Sequence, residues 1–173
     1  MAEKVITIFG TARAKPGDRI YKLAEQTGKL LAQAGLTIAN GGYGGTMLAA
    51  AKGAAEAGGE VIGVTCSAFE RTANKYISRE IVTRLLDERL DTLIKLGQGY
   101  VVLPGGTGTL LELAMVWELK NKGFLETGKP VILIGEFWKP LVNLIESDDP
   151  DSLRHIRIAE GPEQARNYLV ESI

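Results

Sequence analysis

The sequence predicts an α/β fold of the Rossmann-like kind, a doubly wound parallel sheet with helices on both faces. Two observations predict it. Short β-rich apolar runs alternate along the chain with longer segments whose apolar residues recur every three or four positions. No Pro- or Ser-rich linker, internal repeat or low-complexity stretch breaks that alternation, and 173 residues suit a single domain spanning 1–173.

Val5 to Phe9 is the first apolar run and reads as a buried strand, followed by helical spacing from Tyr21 to Ala34. Thr37 to Ala39 is a second strand and Thr46 to Ala57 a second helix. Val61 to Thr65 gives a third strand, and helical spacing resumes only at Glu88 to Leu96. Tyr100 to Leu103 and Val131 to Ile134 are further strands, each followed by a helix, Thr109 to Lys120 and Trp138 to Ile145. Ile156 to Ile158 adds an edge strand before a last helix, Pro162 to Val170. Strands separated by helices imply right-handed crossovers, and ligands of such sheets bind at the carboxyl ends of the strands, where strand order reverses.

Composition narrows the function classes. With 45% apolar and 24% charged residues the chain matches ordinary globular proteins. A net charge of -1, with both signs interspersed, leaves no basic stripe to follow a nucleic-acid backbone, so polymeric nucleic acid is not an expected partner. Cys66 is the single cysteine, which excludes an intrachain disulfide and a multi-thiolate zinc site within one chain. Met1-Ala2-Glu3-Lys4 leads straight into the first strand without a signal-peptide core, and no apolar run reaches the roughly 20 residues of a membrane helix. A cytoplasmic protein is expected, with no membrane contact.

Three glycine-bearing turns follow strands and open helices: Gly10-Thr11-Ala12-Arg13, Asn40-Gly41-Gly42-Tyr43-Gly44-Gly45-Thr46 and Pro104-Gly105-Gly106-Thr107-Gly108-Thr109. Such turns bring backbone N–H groups close to a ligand, and the helix that follows adds unpaired N–H groups and the positive end of its dipole. Set at one sheet edge, they make an anion cradle. Neither Gly-x-x-x-x-Gly-Lys-Ser/Thr nor Gly-x-Gly-x-x-Gly occurs, which argues against NTP hydrolysis and NAD chemistry. Glu112 is placed on the first turn of the helix after the third glycine turn, and Arg89 at the start of the preceding helix, so both can reach the same edge. Local sequence also allows a dipole-favoured helix glutamate and a solvated arginine paired with Asp87 or Glu88.

Taken together, Gly41-Gly42-Tyr43-Gly44-Gly45-Thr46-Met47, Glu88-Arg89 and Pro104-Gly105-Gly106-Thr107-Gly108-Thr109-Leu110-Leu111-Glu112 resemble the motif series of the LONELY GUY family. Its members were often mislabelled lysine decarboxylases. The resemblance implies a phosphoribohydrolase that splits nucleoside 5′-monophosphates, cytokinin ribotides or AMP among them, into free base and ribose 5-phosphate. By that resemblance Arg89 and Glu112 are catalytic, Gly105, Gly106, Thr107, Gly108 and Thr109 hold the phosphate, and Gly42 and Met47 line the nucleotide site, with Gly10 and Thr11 at its edge. It also implies a homodimer or larger homo-oligomer with the site near the subunit contact. Two positions depart from the family pattern: Leu90 replaces the lysine after the arginine, and Leu86-Asp87 replaces Met-His. Molybdenum-cofactor carriers share the superfamily and give the alternative reading, binding without hydrolysis; a nucleotide-sensing module is a third.

The chemistry expected of the first reading needs no metal and no cofactor. Cleaving an N-glycosidic bond builds positive charge on the ribose, which a carboxylate such as Glu112 stabilises, or it activates the attacking water. Arg89 orients the nucleotide and assists the departing base. His155, the sole histidine, lies in a charged stretch and reads as a surface residue; Cys66 reads as buried and unreactive, and Trp117, Trp138 and Phe124 as packing or subunit-contact residues.

Overall fold

The computed structural model describes residues 3–173; Met1 and Ala2, with which the sequence opens, lie outside the described residues. Seven parallel strands form one sheet in the order β4-β3-β2-β1-β5-β6-β7: β1 Val5–Phe9, β2 Thr37–Asn40, β3 Val61–Cys66, β4 Arg79–Thr83, β5 Gly99–Val102, β6 Val131–Ile134 and β7 Ile156–Ala159. The chain winds outward from β1 to β4, then returns to lay β5 against the free side of β1, pairing Ile6 with Gly99 and Phe9 with Val102. Order therefore reverses between β1 and β5. The adjoining carboxyl ends open the crevice where ligands of such sheets bind.

Side chains alternate across the pleat, so each strand feeds two cores. Ile6, Ile8, Ile38, Val61, Val101 and Ile132 face α1 (Arg19–Gln33), α2 (Thr46–Glu56) and α6 (Pro162–Ser172). Val5, Phe9, Ile62, Val64, Val102 and Leu133 face α3 (Leu86–Leu96), α4 (Thr107–Asn121) and α5 (Lys139–Glu146). On the first face α1 and α2 cross in near backbone contact: a Cβ at Gly28 would lie 2.0 Å from the Ala50 carbonyl oxygen, and one at Gly53 1.9 Å from that of Glu25. Lys52 ties the same pair through ion pairs with Glu25 and Glu56. No helix among the described residues is long and apolar enough to cross a membrane.

The predicted doubly wound sheet is present, with one strand more than the sequence suggests. β4 escapes notice because it is an edge strand: Arg79, Glu80 and Val82 are exposed and Thr83 alone is fully buried, so no apolar run marks it. It is held through its ladder to β3 and the Thr83 hydroxyl, which donates to the Thr65 carbonyl at 2.7 Å. No helix links β3 to β4; a short 3₁₀ turn, Ser67–Phe69, and an extended loop do so instead. Trp117 and Trp138 are buried, their indole N–H groups donating to Ser152 and Leu103 carbonyls, whereas Phe124 is exposed. Cys66 is buried.

Candidate functional site

At the carboxyl end of β1 the chain leaves the sheet through Gly10 and Thr11, and the Thr11 carbonyl is gripped by the second helix. It accepts from the Thr46 amide at 2.8 Å and from the Thr46 hydroxyl at 3.0 Å. Gly45 makes this contact sterically possible. Its backbone (φ 65°, ψ -135°) is one that side chains disfavour, and a Cβ there would stand 2.3 Å from the Thr11 oxygen. The first and second glycine turns are thus locked to each other.

Asn40, fully buried at the end of β2, shapes the second turn from within. Its Oδ1 accepts from the Gly42 amide at 2.8 Å, an Asx turn, while its Nδ2 donates to the Met47 carbonyl at 3.0 Å. Asn74, from the β3–β4 loop, clamps the outer side: its backbone amide and Nδ2 donate to the Gly42 carbonyl and the same Nδ2 reaches the Tyr43 carbonyl. The Tyr43 hydroxyl donates to the Cys66 carbonyl at 3.0 Å and accepts from the Cys66 amide at 2.8 Å. Gly42 has its own N–H and C=O committed to these partners, so it enters the site through the form of the turn.

Arg89 lies in this scaffold, buried on the inner face of α3 rather than out in solvent. Its Nε donates to the Val64 carbonyl at 2.8 Å and its Nη2 to the Gly41 carbonyl at 3.0 Å, with Met47 Sδ 3.8 Å away. A Cβ at residue 41 would stand 1.8 Å from Nη2, so glycine there is what admits the guanidinium. The rings of Tyr43 and Phe69 lie 5.5 and 5.7 Å from the guanidinium carbon. Glu88 does not pair with Arg89; its carboxylate accepts from the Arg84 amide at 2.9 Å. Three of the guanidinium's five donors, on Nε and Nη2, hold the side chain in place, which leaves Nη1 for a ligand.

Across the switch point β5 runs into Leu103 and Pro104, and the Leu103 amide donates to the Phe9 carbonyl at 2.9 Å. Gly106 is the N-cap of α4, with no side chain capping the helix and no acidic residue in its first turn. Gly106, Thr107 and Gly108 are exposed, while Thr109 is buried with its hydroxyl close against Gly105. The α4 N-terminus thus presents unpaired backbone N–H groups at this sheet edge.

Glu112 occupies a different place on α4 from the one predicted. Thr107, Gly108 and Thr109 are already helical, so Glu112 is the sixth residue and stands on the second turn. The cause is local: Gly106 takes the extended cap conformation and the helix starts there, one half-turn sooner than the threonines suggest. The carboxyl is therefore past the reach of the first-turn amides that would keep it acidic. Half-buried, it loses hydration, and that burial pushes its pKa up to about 7, against the pull of Arg89, which favours the ionised form. Burial lowers the Arg89 pKa, opposed first by Glu112. Each group feels the other's charge, and no direct ion pair joins them among the described residues.

The structure thus brings Gly10, Thr11, Gly42, Met47, Gly105 to Thr109, Arg89 and Glu112 to one sheet edge. Sequence reasoning named the second turn but not what fixes it: Asn40, Thr46, Tyr43 as a bolt to β3, Asn74 and Phe69. An asparagine before Gly-Gly is a turn signal that could have marked Asn40. Asn74 and Phe69 carry no such local sign, because their partners are distant in sequence.

The profile of the SLOG cluster4 family matches residues 3–166. A cytokinin riboside 5′-monophosphate phosphoribohydrolase of Rhodococcoides fascians is 30% identical over 149 residues, which span 83% of this chain and 74% of that protein. Among solved structures, the molybdenum cofactor binding protein of the phototrophic bacterium Rippkaea orientalis superposes with a TM-score of 0.81 at 28% identity, covering 99% of this chain and 98% of the other. The molybdenum cofactor carrier protein of Chlamydomonas reinhardtii gives a TM-score of 0.77 at 28% identity, with the same shares covered.

Proposed function

This chain belongs to the SLOG cluster4 family, and from that premise we propose that it is a nucleoside 5′-monophosphate phosphoribohydrolase, releasing free base and ribose 5-phosphate. The observation that carries the reading is Glu112: a half-buried carboxyl whose pKa burial pushes up to about 7, within the field of the buried Arg89 and on the helix whose N-terminus is open. A protein that only holds a ligand has no need of such a group, whereas proton-transfer chemistry does. The 5′-phosphate binds the amides and hydroxyls of Gly105 to Thr109, and this remote contact fixes the ribose over Glu112. As the C1′–N bond breaks, ionised Glu112 stabilises the positive charge on the sugar and takes the proton of the water that adds to C1′. Arg89, its guanidinium already charged and seated, steadies the negative charge that develops on the departing base, which takes its proton from solvent water.

The test is to incubate the protein with AMP and other nucleoside monophosphates and follow free base and ribose 5-phosphate by chromatography. Release of both in equal amounts supports the reading. Binding without release moves the assignment to a carrier, a reading favoured by the molybdenum-cofactor proteins that superpose on 98% or more of the chain. The site is proposed to work without metal or organic cofactor.

A homo-oligomer is part of the same proposal. Leu110, Leu111 and Met115 are exposed on α4 within a turn of Glu112, and Leu85 and Leu86 are exposed where α3 begins. Apolar surface of this kind beside a site supports a contact between copies of the chain there. Met115→Glu is expected to lower the solution mass measured by light scattering, and an unchanged mass would remove α4 from the interface.

A further inference from the structure

Phe69 has an unusual setting for a large apolar side chain. It closes the 3₁₀ turn after β3, at the carboxyl edge where the glycine turns lie, and it is 40% exposed. One side of its environment is occupied: the guanidinium carbon of Arg89 is 5.7 Å from the ring centroid, and the Tyr43 ring is 6.0 Å away at 54°. Tyr43 exposes little of its ring, being buried and bonded through its hydroxyl to both backbone groups of Cys66. Among the described residues, Phe69 is the aromatic side chain beside the arginine that remains exposed. The backbone bears a cost for this presentation, since Glu70 is left-handed (φ 49°), the one non-glycine residue with positive φ among the described residues.

We propose that Phe69 is the base-recognition residue, stacking its accessible face on the nucleobase while it shields Arg89 from water. This rests on the nucleoside-monophosphate reading. The chemistry selects a flat aromatic heterocycle joined to a ribose phosphate, with larger purines favoured over pyrimidines because stacking grows with overlap.

The test is calorimetric binding of two probes, AMP and ribose 5-phosphate, to the wild-type protein, Phe69→Leu and Phe69→Trp. Leucine keeps an apolar cover over Arg89 but removes the π-face. The expected result is AMP bound about tenfold more weakly by Phe69→Leu, ribose 5-phosphate bound as by wild type, and AMP affinity retained in Phe69→Trp. Equal weakening of both probes in Phe69→Leu assigns the ring to shielding the arginine and overturns the proposal. So does unchanged AMP affinity, or no AMP binding by the wild-type protein. Wild-type protein that binds AMP without releasing adenine defeats the hydrolase reading and leaves the stacking result standing.

Discussion

Glu112→Gln is expected to lower base release from AMP by about 10²- to 10⁴-fold while leaving AMP affinity within a few-fold of wild type, because the phosphate cradle of Gly105 to Thr109 is untouched. The wild-type rate carries a pH signature of the same group. Since the ionised form acts and burial holds the pKa near 7, kcat/KM is expected to rise with pH through a midpoint of about 7. A limb near 4.5 would mean that the acting group is not this carboxyl. The same substitution has an opposite effect on stability. In the folded protein Glu112 binds its proton more tightly than in the unfolded chain, so its contribution is intact below about 4.5 and is lost as pH climbs through 7. Glutamine has no charge to bury. After allowance for partial solvent exposure, Glu112→Gln should be more stable than wild type by about 2 kcal/mol at pH 8 and nearly equal to it at pH 4.5. Chemical denaturation at the two pH values reads the difference directly. Loss of activity with gain of stability at pH 8 is the outcome expected of a functional group held at a cost to the fold; retention of base release in Glu112→Gln overturns the mechanism.

Gly28→Ala and Gly53→Ala are each expected to destabilise the protein, although alanine is the better helix former by about 1 kcal/mol. The added methyl at either position would enter the backbone of the opposite helix, 2.0 Å from the Ala50 oxygen or 1.9 Å from the Glu25 oxygen. Neither obstacle is a flexible side chain that can turn aside, so α1 and α2 must separate along their crossing. Overpacking of that kind costs about 1 to 3 kcal/mol and here outweighs the gain in propensity, more so because separation also strips Ala24, Leu31, Ala50 and Ala54 of contacts in the shared core. A fall in melting temperature of about 3–8 °C follows for a chain of this size. Because the same helix begins at Thr46, which grips the Thr11 carbonyl, the two variants are also expected to loosen the clamp between the first two glycine turns. Equal or higher melting temperature in either variant would show that the helices can part without loss.

The division between what the chain spells out and what it conceals follows the range of the forces involved. Sequence by itself determined the winding of the sheet, since the pleat and the helical turn impose their periods on every buried run, and β1, β2, β3, β5, β6 and β7 are all written that way. It also determined the three glycine turns, in which Gly10, Gly41, Gly45 and Gly105 stand too close to neighbouring atoms for a side chain, and the resemblance drew Arg89 and Glu112 from among many arginines and glutamates. An edge strand such as β4 has only one neighbour and half its side chains in water, so its residues carry no period to read. Tertiary structure alone decided the state of the two candidate catalytic groups. Arg89 is immobilised by carbonyls of Val64 and Gly41, 25 and 48 residues away, and Glu112 is raised toward neutrality by burial that only the folded chain creates. The placement of Phe69 over the arginine is of the same origin. Hydration, dielectric and hydrogen-bond partnership belong to the surroundings of a side chain in space, and a linear order of residues holds no record of them.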